Sequence, residues 1–202
     1  MKEFWNSRFG ASQTEYVYGT EPNVFFEQEL TKLKPGRLLL PAEGEGRNAV
    51  FAARLGWEVT AFDISEAGRE KAMQLARQAG VERSITYNLD GFDSFEAPQH
   101  YFDALGLCYA HVSSSQRRTV HRRLMQGLRP GGHIILEAFS KAQLGRGSGG
   151  PKSEKMLYTA AEIAEDFDTA KHLYLNSEEV ELSEGRFHAG KAAVIRFTGQ
   201  KL

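Results

Sequence analysis

Short apolar runs alternate along the chain with longer segments whose apolar positions recur at helical spacing. The runs Leu38 to Leu40, Trp57 to Phe62, Ile85 to Leu89, Phe102 to Cys108 and Ile134 to Phe139 are rich in branched residues, which predicts strands buried on both faces of a parallel sheet. Asn48 to Leu55 and Ser65 to Ala79 read as helices in the first two gaps, with Gly56 and Gly80 placed to end them. After the fourth run, Val120, Leu124 and Leu128 recur every four residues. They form one stripe on a helix that Pro130, Gly131 and Gly132 bring to an end.

The alternation breaks near the C-terminus. Lys171 to Leu182 and Phe187 to Thr198 are both strand-like, with only Ser183-Glu184-Gly185-Arg186 between them. A connection this short makes the pair an antiparallel hairpin. The expected architecture is therefore α/β: a three-layer Rossmann-like domain whose sheet is mostly parallel and ends in an antiparallel strand. Residues 141–152 are rich in Gly and Ser with few apolar anchors, and are expected to form a mobile loop and candidate lid.

Composition narrows the picture without redirecting it. With 202 residues, 41% hydrophobic and 25% charged, one domain over 1–202 is expected. The formal net charge is -1 and the basic residues are spread out, so neither nucleic acid nor an anionic membrane surface is an expected partner. A small molecule is. The first twenty residues carry Lys2, Glu3, Arg8 and Glu15 and no apolar leader, and no run approaches a membrane span, so the expectation is a soluble, cytoplasmic protein. The single cysteine, Cys108, reads as a small buried hydrophobe. No metal site is read, and the oligomeric state is left open.

The candidate chemistry lies where the first run ends, in Pro41-Ala42-Glu43-Gly44-Glu45-Gly46-Arg47-Asn48-Ala49. The two glycines let the backbone turn tightly and approach a ligand, and the helix start beyond them offers unpaired N–H groups. Asp63 closes the second run at the distance where a carboxylate accepts hydrogen bonds from ribose hydroxyls. This pattern fits a dinucleotide or S-adenosylmethionine. Glu43 and Glu45 flank Gly44 and would repel a pyrophosphate, whereas S-adenosylmethionine brings an ammonium and a sulfonium. The acidic loop favours the cationic ligand.

These segments resemble the class I S-adenosylmethionine-dependent methyltransferases, in particular the small tellurite-resistance and thiopurine-type branch. The resemblance rests on Phe4-Trp5-Asn6, Tyr18-Gly19-Thr20-Glu21-Pro22-Asn23, the glycine loop, Phe62-Asp63-Ile64, Leu89-Asp90, His111, Leu128-Arg129-Pro130-Gly131-Gly132-His133-Ile134 and Glu184-Gly185-Arg186-Phe187-His188-Ala189-Gly190. It implies a seven-stranded sheet with the last strand antiparallel, and S-adenosylmethionine as cofactor. Ala42, Glu43, Gly44, Glu45 and Gly46 would wrap its methionine part, and Asp63 would hold the ribose with Ile64 against the adenine. Asp90 would accept the adenine amino group beside Leu89, and Cys108 and Tyr109 would border the sulfonium. Trp5, Tyr18 and Gly19 would close over the cofactor from an N-terminal helical cap, residues 1–34.

One departure stands out: the family commonly has an acid where the first strand ends, and here Leu40 is followed by Pro41. Glu43 or Glu45 is expected to supply the missing charge. Ala42 stands where glycine is frequent, and Arg8 and Arg47 are candidates to pair with the cofactor's carboxylate. Methyl transfer needs a base only for a protonated acceptor, and His111 and His188 are the candidates. His100, His121, His133 and His172 read as structural or exposed. The resemblance suggests a thiol, a chalcogen oxyanion or a heterocycle as acceptor. A nicotinamide-dependent oxidoreductase and a non-catalytic S-adenosylmethionine-binding module are the competing readings.

Overall fold

In the computed structural model, which describes residues 1–12 and 14–202, the chain opens with two helices, α1 (Lys2–Gly10) and α2 (Val24–Leu30). Two β-α units and a third strand follow: β1 (Arg37–Pro41) with α3 (Arg47–Arg54), β2 (Glu58–Phe62) with α4 (Glu66–Gln78), and then β3 (Ile85–Asn88). The second half holds β4 (Phe102–Cys108), α5 (Arg117–Gln126), β5 (Leu128–Phe139), α6 (Ala160–Asp166), β6 (Ala170–Ser183) and β7 (Ala189–Lys201). All seven strands join one sheet in the order β3-β2-β1-β4-β5-β7-β6. The first five are parallel, and β7 runs antiparallel to both β5 and β6. This is the Rossmann-like methyltransferase fold that the apolar runs and the hairpin predict.

Successive strand residues face opposite sides, so each central strand feeds two cores. Leu38, Leu40, Trp57, Ala104 and Ile135 pack under α2, α3 and α4, with Phe26 and Leu30. Leu39, Phe62, Leu105 and Leu136 pack under α5 and α6, with Leu124, Ile163 and Phe167. Each such side chain contributes on the order of 1.5–3 kcal/mol on burial. Leu40, at the position that commonly carries an acid, is 1% exposed and belongs to this packing. The β1 to β4 ladder ends at Leu39, before Pro41, whose missing N–H therefore costs no rung there.

Several boundaries differ from expectation. Leu128 is the first residue of β5 rather than the end of the helical stripe, and it pairs with Phe102. Arg129 to Gly132 then bulge opposite Asp103 before His133 rejoins the ladder at Ala104. Gly131 adopts φ +77°, and Asp103 holds Arg129 at 2.6 Å, so the Pro-Gly-Gly sequence bends a strand that has already begun. Phe187 and His188 lie in the hairpin turn rather than in β7. The segment 141–152 is tied down: Gln143 is buried, donates to Ser148 and to the Gly149 carbonyl, and accepts the Ala193 N–H at 2.8 Å. Among the described residues no helix is long and apolar enough to cross a membrane.

Candidate active site

The carboxyl ends of β1, β2, β4 and β5 open onto one edge, and the glycine loop crosses it. Ala42, Gly44 and Gly46 all have left-handed backbone, with φ of 52°, 60° and 85°. The alanine carries there a cost of about 1–2 kcal/mol that glycine would avoid. Gly44 N–H donates to Asp63 Oδ2 at 3.1 Å and Ser65 N–H donates to Oδ1 at 2.9 Å. Asp63 is thus buried and oriented at the end of β2 with further lone pairs on both oxygens. Burial raises its pKa against the pull of those N–H donors. Ile64 follows it beside Gly91, and Asp90 accepts the Ser94 hydroxyl at 3.0 Å, while Leu89 stays exposed.

The two acids of the loop have different fates. Glu45 pairs with Lys71 of α4 and accepts the Val17 N–H at 2.7 Å, so its charge is already met. Glu43 accepts the Ala49 N–H at 2.8 Å and the Asn48 side chain at 3.3 Å. It makes no ion pair among the described residues, and burial pushes its carboxyl up to about 7. A cationic group brought beside it would restore its ionisation. Of the two acids expected to replace the strand-end carboxylate, Glu45 is ion-paired and Glu43, among the described residues, is not.

The N-terminal segment lies over this loop. The Phe9 ring fits above two glycines: a Cβ on Gly44 would come within 3.1 Å of it, and one on Gly68 within 3.0 Å. Trp5 stacks on Phe9 at 5.3 Å, and Tyr18 meets it edge-on. Arg8 lies 4.6 Å from the rings of both Phe4 and Phe187 and donates to the Tyr18 hydroxyl at 3.2 Å. Gly19, at φ +72°, faces Gly185 of the hairpin turn, where a side chain would strike Val17 and Tyr18. A hollow of about 500 Å³ lies away from this edge, between Phe9 and the Arg69 to Arg77 face of α4.

Beyond the loop, over β4, β5 and β7, a buried polar network replaces glycine. Glu137 accepts from Asn23 at 2.7 Å, from the Tyr109 hydroxyl at 2.6 Å and from Arg196 Nε at 2.6 Å. Asn23 also donates to Glu184 at 3.0 Å, and Arg47 donates to Glu184 at 2.8 Å and to the Tyr18 carbonyl at 3.3 Å. Burial alone would raise the Glu184 carboxyl, but His188 and the Arg47 guanidinium outweigh it and hold it at about 2. Arg47, a candidate partner of the cofactor's carboxylate, is paired with Glu184 in this arrangement.

Tyr109 has φ +52°, an unfavourable backbone for an aromatic residue, fixed by its N–H to the Glu137 carbonyl at 2.8 Å and its hydroxyl to the Glu137 side chain. Strain of this kind, of order 1–3 kcal/mol, persists where surrounding contacts over-determine it, and it marks functional sites. Burial and the nearby carboxylates of Glu137 and Glu184 keep its phenol protonated. Cys108, next to it, is a free thiol whose pKa burial and Glu43 push well above its ordinary value.

The two histidines differ sharply. His111 Nδ1 bonds the Met156 carbonyl at 2.6 Å and Nε2 accepts the Phe139 N–H at 3.2 Å, which fixes the Nδ1–H tautomer. Both nitrogens are used, and burial drives its pKa down to about 4. His111, a candidate base, thus pins the Met156 carbonyl to the Phe139 N–H in this arrangement. His188 projects from the hairpin turn among Tyr18, Tyr109 and Phe139, with ring centroids 4.4, 4.4 and 5.1 Å away. Its Nδ1 stands 3.5 Å from Glu184 and has no hydrogen-bond partner among the described residues. Burial keeps it neutral against the opposing effect of Glu184.

Of the residues expected from the sequence, the structure brings Trp5 and Tyr18 to Phe9 over Gly44, Asp63 to Gly44, and Tyr18 and Tyr109 to His188. Sequence reasoning assigned no role to Phe9, Asn23, Lys71, Glu137 or Arg196. The one signal for Glu137 was its position as a lone charge within the apolar run Ile134 to Phe139.

Residues 41–132, a little under half the chain, match the family described as a methyltransferase domain. The matched segment holds the glycine loop, Asp63, Asp90 and Tyr109. The ubiquinone/menaquinone biosynthesis C-methyltransferase UbiE of Yersinia enterocolitica is 26% identical over 111 residues, 54% of this chain and 44% of that protein. The chain spans less than half the length of the curated relatives it matches. Among solved structures, TehB from Haemophilus influenzae has a TM-score of 0.75 at 13% identity, covering 98% of this chain and 67% of that one. The 1,6-didemethyltoxoflavin-N1-methyltransferase of Burkholderia thailandensis, solved with 1,6-didemethyltoxoflavin and S-adenosylhomocysteine, has a TM-score of 0.68 at 20% identity, covering 98% and 85%.

The fold is the Rossmann-like methyltransferase fold, and residues 41–132 are similar to a methyltransferase domain, the likeness on which S-adenosylmethionine as cofactor rests. The antiparallel β7 between β5 and β6 also departs from the all-parallel dinucleotide fold.

Proposed function

We propose that this chain methylates a small molecule, with the cofactor seated on the glycine loop and the acceptor beside Tyr109 and His188. The observation that carries the reading is the clasp between Gly44 and Asp63 at the carboxyl ends of β1 and β2, which presents a buried, oriented carboxylate for ribose hydroxyls. Glu43 faces the cofactor's ammonium in place of the strand-end acid. S-adenosylmethionine supplies a methyl group on a sulfonium, so the protein has to align the acceptor and exclude water. The hairpin turn, Tyr18 and the anchored segment 141–152 form the cover that does so.

His188 takes the acceptor's proton. It is neutral, enclosed by aromatic rings, and Glu184 at 3.5 Å steadies the imidazolium that results. The likeness to the tellurite-resistance and thiopurine-type branch is part of the proposal, supported by the motif segments and by the fold shared with TehB. Within that range of acceptors the charges favour a neutral thiol or N–H heterocycle over an oxyanion. Glu43, Glu137 and Glu184 line this edge, and Arg47 and Arg196 are both ion-paired. The test is transfer of labelled methyl from S-adenosylmethionine to a panel of thiols, heterocycles and chalcogen oxyanions. Turnover confined to the neutral acceptors is expected. Tight cofactor binding with no turnover on any acceptor would replace the enzyme with a binding module.

A further inference from the structure

Lys71 lies on α4 and takes no part in the chemistry above, yet its side chain is only 7% exposed. Its ammonium gathers partners from three separate segments. It pairs with Glu45 in the glycine loop, donates to the Phe9 carbonyl at the end of α1 at 3.3 Å, and donates to the Glu15 carbonyl at 2.5 Å. Three oxygen partners match the three N–H bonds of an ammonium. The Tyr16 ring lies 4.8 Å away, and its hydroxyl donates to the Lys71 carbonyl at 3.2 Å. The other face of the Glu45 carboxylate takes the Val17 N–H. One buried charge pair therefore fastens both sides of the turn between α1 and Val17 to the loop that carries Gly44.

A buried ion pair is a poor device for stability alone, because desolvation offsets its attraction and an apolar pair of similar volume would serve as well. What it adds is conditionality: the ammonium is satisfied only when Phe9, Glu15 and Glu45 are all in place. The same movement that lifts Phe9 from Gly44 and Gly68 would strip Lys71 of its carbonyl partners. We propose that Lys71 is a positioning residue that couples closure of the N-terminal cover to the shape of the glycine loop, and thereby sets how tightly the cofactor is held. The inference rests on the cofactor reading above, but the coupling itself is measurable without cofactor.

The test uses the full chain with Lys71→Met and Lys71→Arg, by hydrogen exchange without ligand and by titration with S-adenosylhomocysteine. In Lys71→Met, residues 2–17 and 42–46 are expected to exchange together at least tenfold faster. The Kd for S-adenosylhomocysteine rises at least tenfold, and KM for S-adenosylmethionine rises by more than kcat falls. Lys71→Arg keeps the charge and recovers part of the affinity, and it carries the comparison if the methionine variant does not fold. Faster exchange in 2–17 with the loop unchanged, or an affinity within twofold of the parent, would overturn the coupling. If the parent protein binds no S-adenosylhomocysteine, the methyltransferase reading fails, and the exchange measurement still decides the coupling.

Discussion

The two ends of the functional edge are held by different means. Over β1 and β2 the loop is shaped by backbone: positive φ at Ala42, Gly44 and Gly46, a carboxylate bound by N–H groups, and a ring seated where glycines leave room. Over β4, β5 and β7 the geometry is set by charge, through Glu137, Glu184, Arg47, Arg196 and Asn23 in one hydrogen-bonded network. Backbone shaping leaves polar groups free to meet a ligand whose form is constant. A charged network instead fixes side chains such as Tyr109 and His188 against each other, which suits a wall that must present one geometry to the proposed acceptor.

The contrast predicts where substitutions hurt. The largest effect is expected at Arg47→Met, which strands the buried Glu184 carboxylate and should cost about 3–5 kcal/mol of stability. Chemical denaturation checks it, and a loss below about 1 kcal/mol would mean that the network does not hold the acceptor side.

Glu43 tests the loop side through pH. Its folded pKa of about 7 lies above the ordinary 4.5, so its contribution to stability is complete below about 4.5 and is lost as pH rises through 7. The loss is roughly 3 kcal/mol at 1.36 kcal/mol per pKa unit. His111 runs the other way: with its pKa depressed to about 4 it favours the fold above 6.5 and loses that contribution as pH falls toward 4. The two slopes oppose in one window, so the useful quantity is the difference between Glu43→Gln and the parent. That difference should shift in favour of the variant by roughly 3 kcal/mol between pH 4.5 and pH 8, while the variant binds S-adenosylhomocysteine more weakly. A difference flat with pH would remove the buried acid from the account.

His188→Phe keeps the ring packing and removes the base, and kcat should fall about 100-fold with little change in KM for the cofactor. The corresponding change at His111 should act on stability instead. An equal loss of kcat at both would erase the distinction drawn between them. The smallest effect is at Ala42→Gly, which relieves left-handed strain and should raise stability by about 1 kcal/mol; thermal unfolding reads it.

Much of the loop side was legible in the sequence, because its determinants are local: a glycine spacing, an acid closing a strand, caps that end helices. The acceptor side was less so. Asn23, Glu137, Glu184 and Arg196 meet across separations that no period reveals, and a glutamate inside an apolar strand shows only that some partner must exist. Leu128 fitted a helical stripe until pairing with Phe102 claimed it for β5. The helix α6 carries a local signal in Thr-Ala-Ala-Glu, the capping box of Thr159 and Glu162. Lys71 looked like one more polar residue on α4, since the partners that bury it come from α1, the following turn and the glycine loop.

The most direct measurement is calorimetric titration of the parent protein and of Asp63→Ala with S-adenosylhomocysteine, and of the parent with NAD. The account predicts micromolar or tighter binding of S-adenosylhomocysteine, a loss of roughly 100-fold in the variant from the missing charged hydrogen bonds, and no binding of NAD. Binding of S-adenosylhomocysteine that is absent, or equal in the parent and in Asp63→Ala, would contradict it.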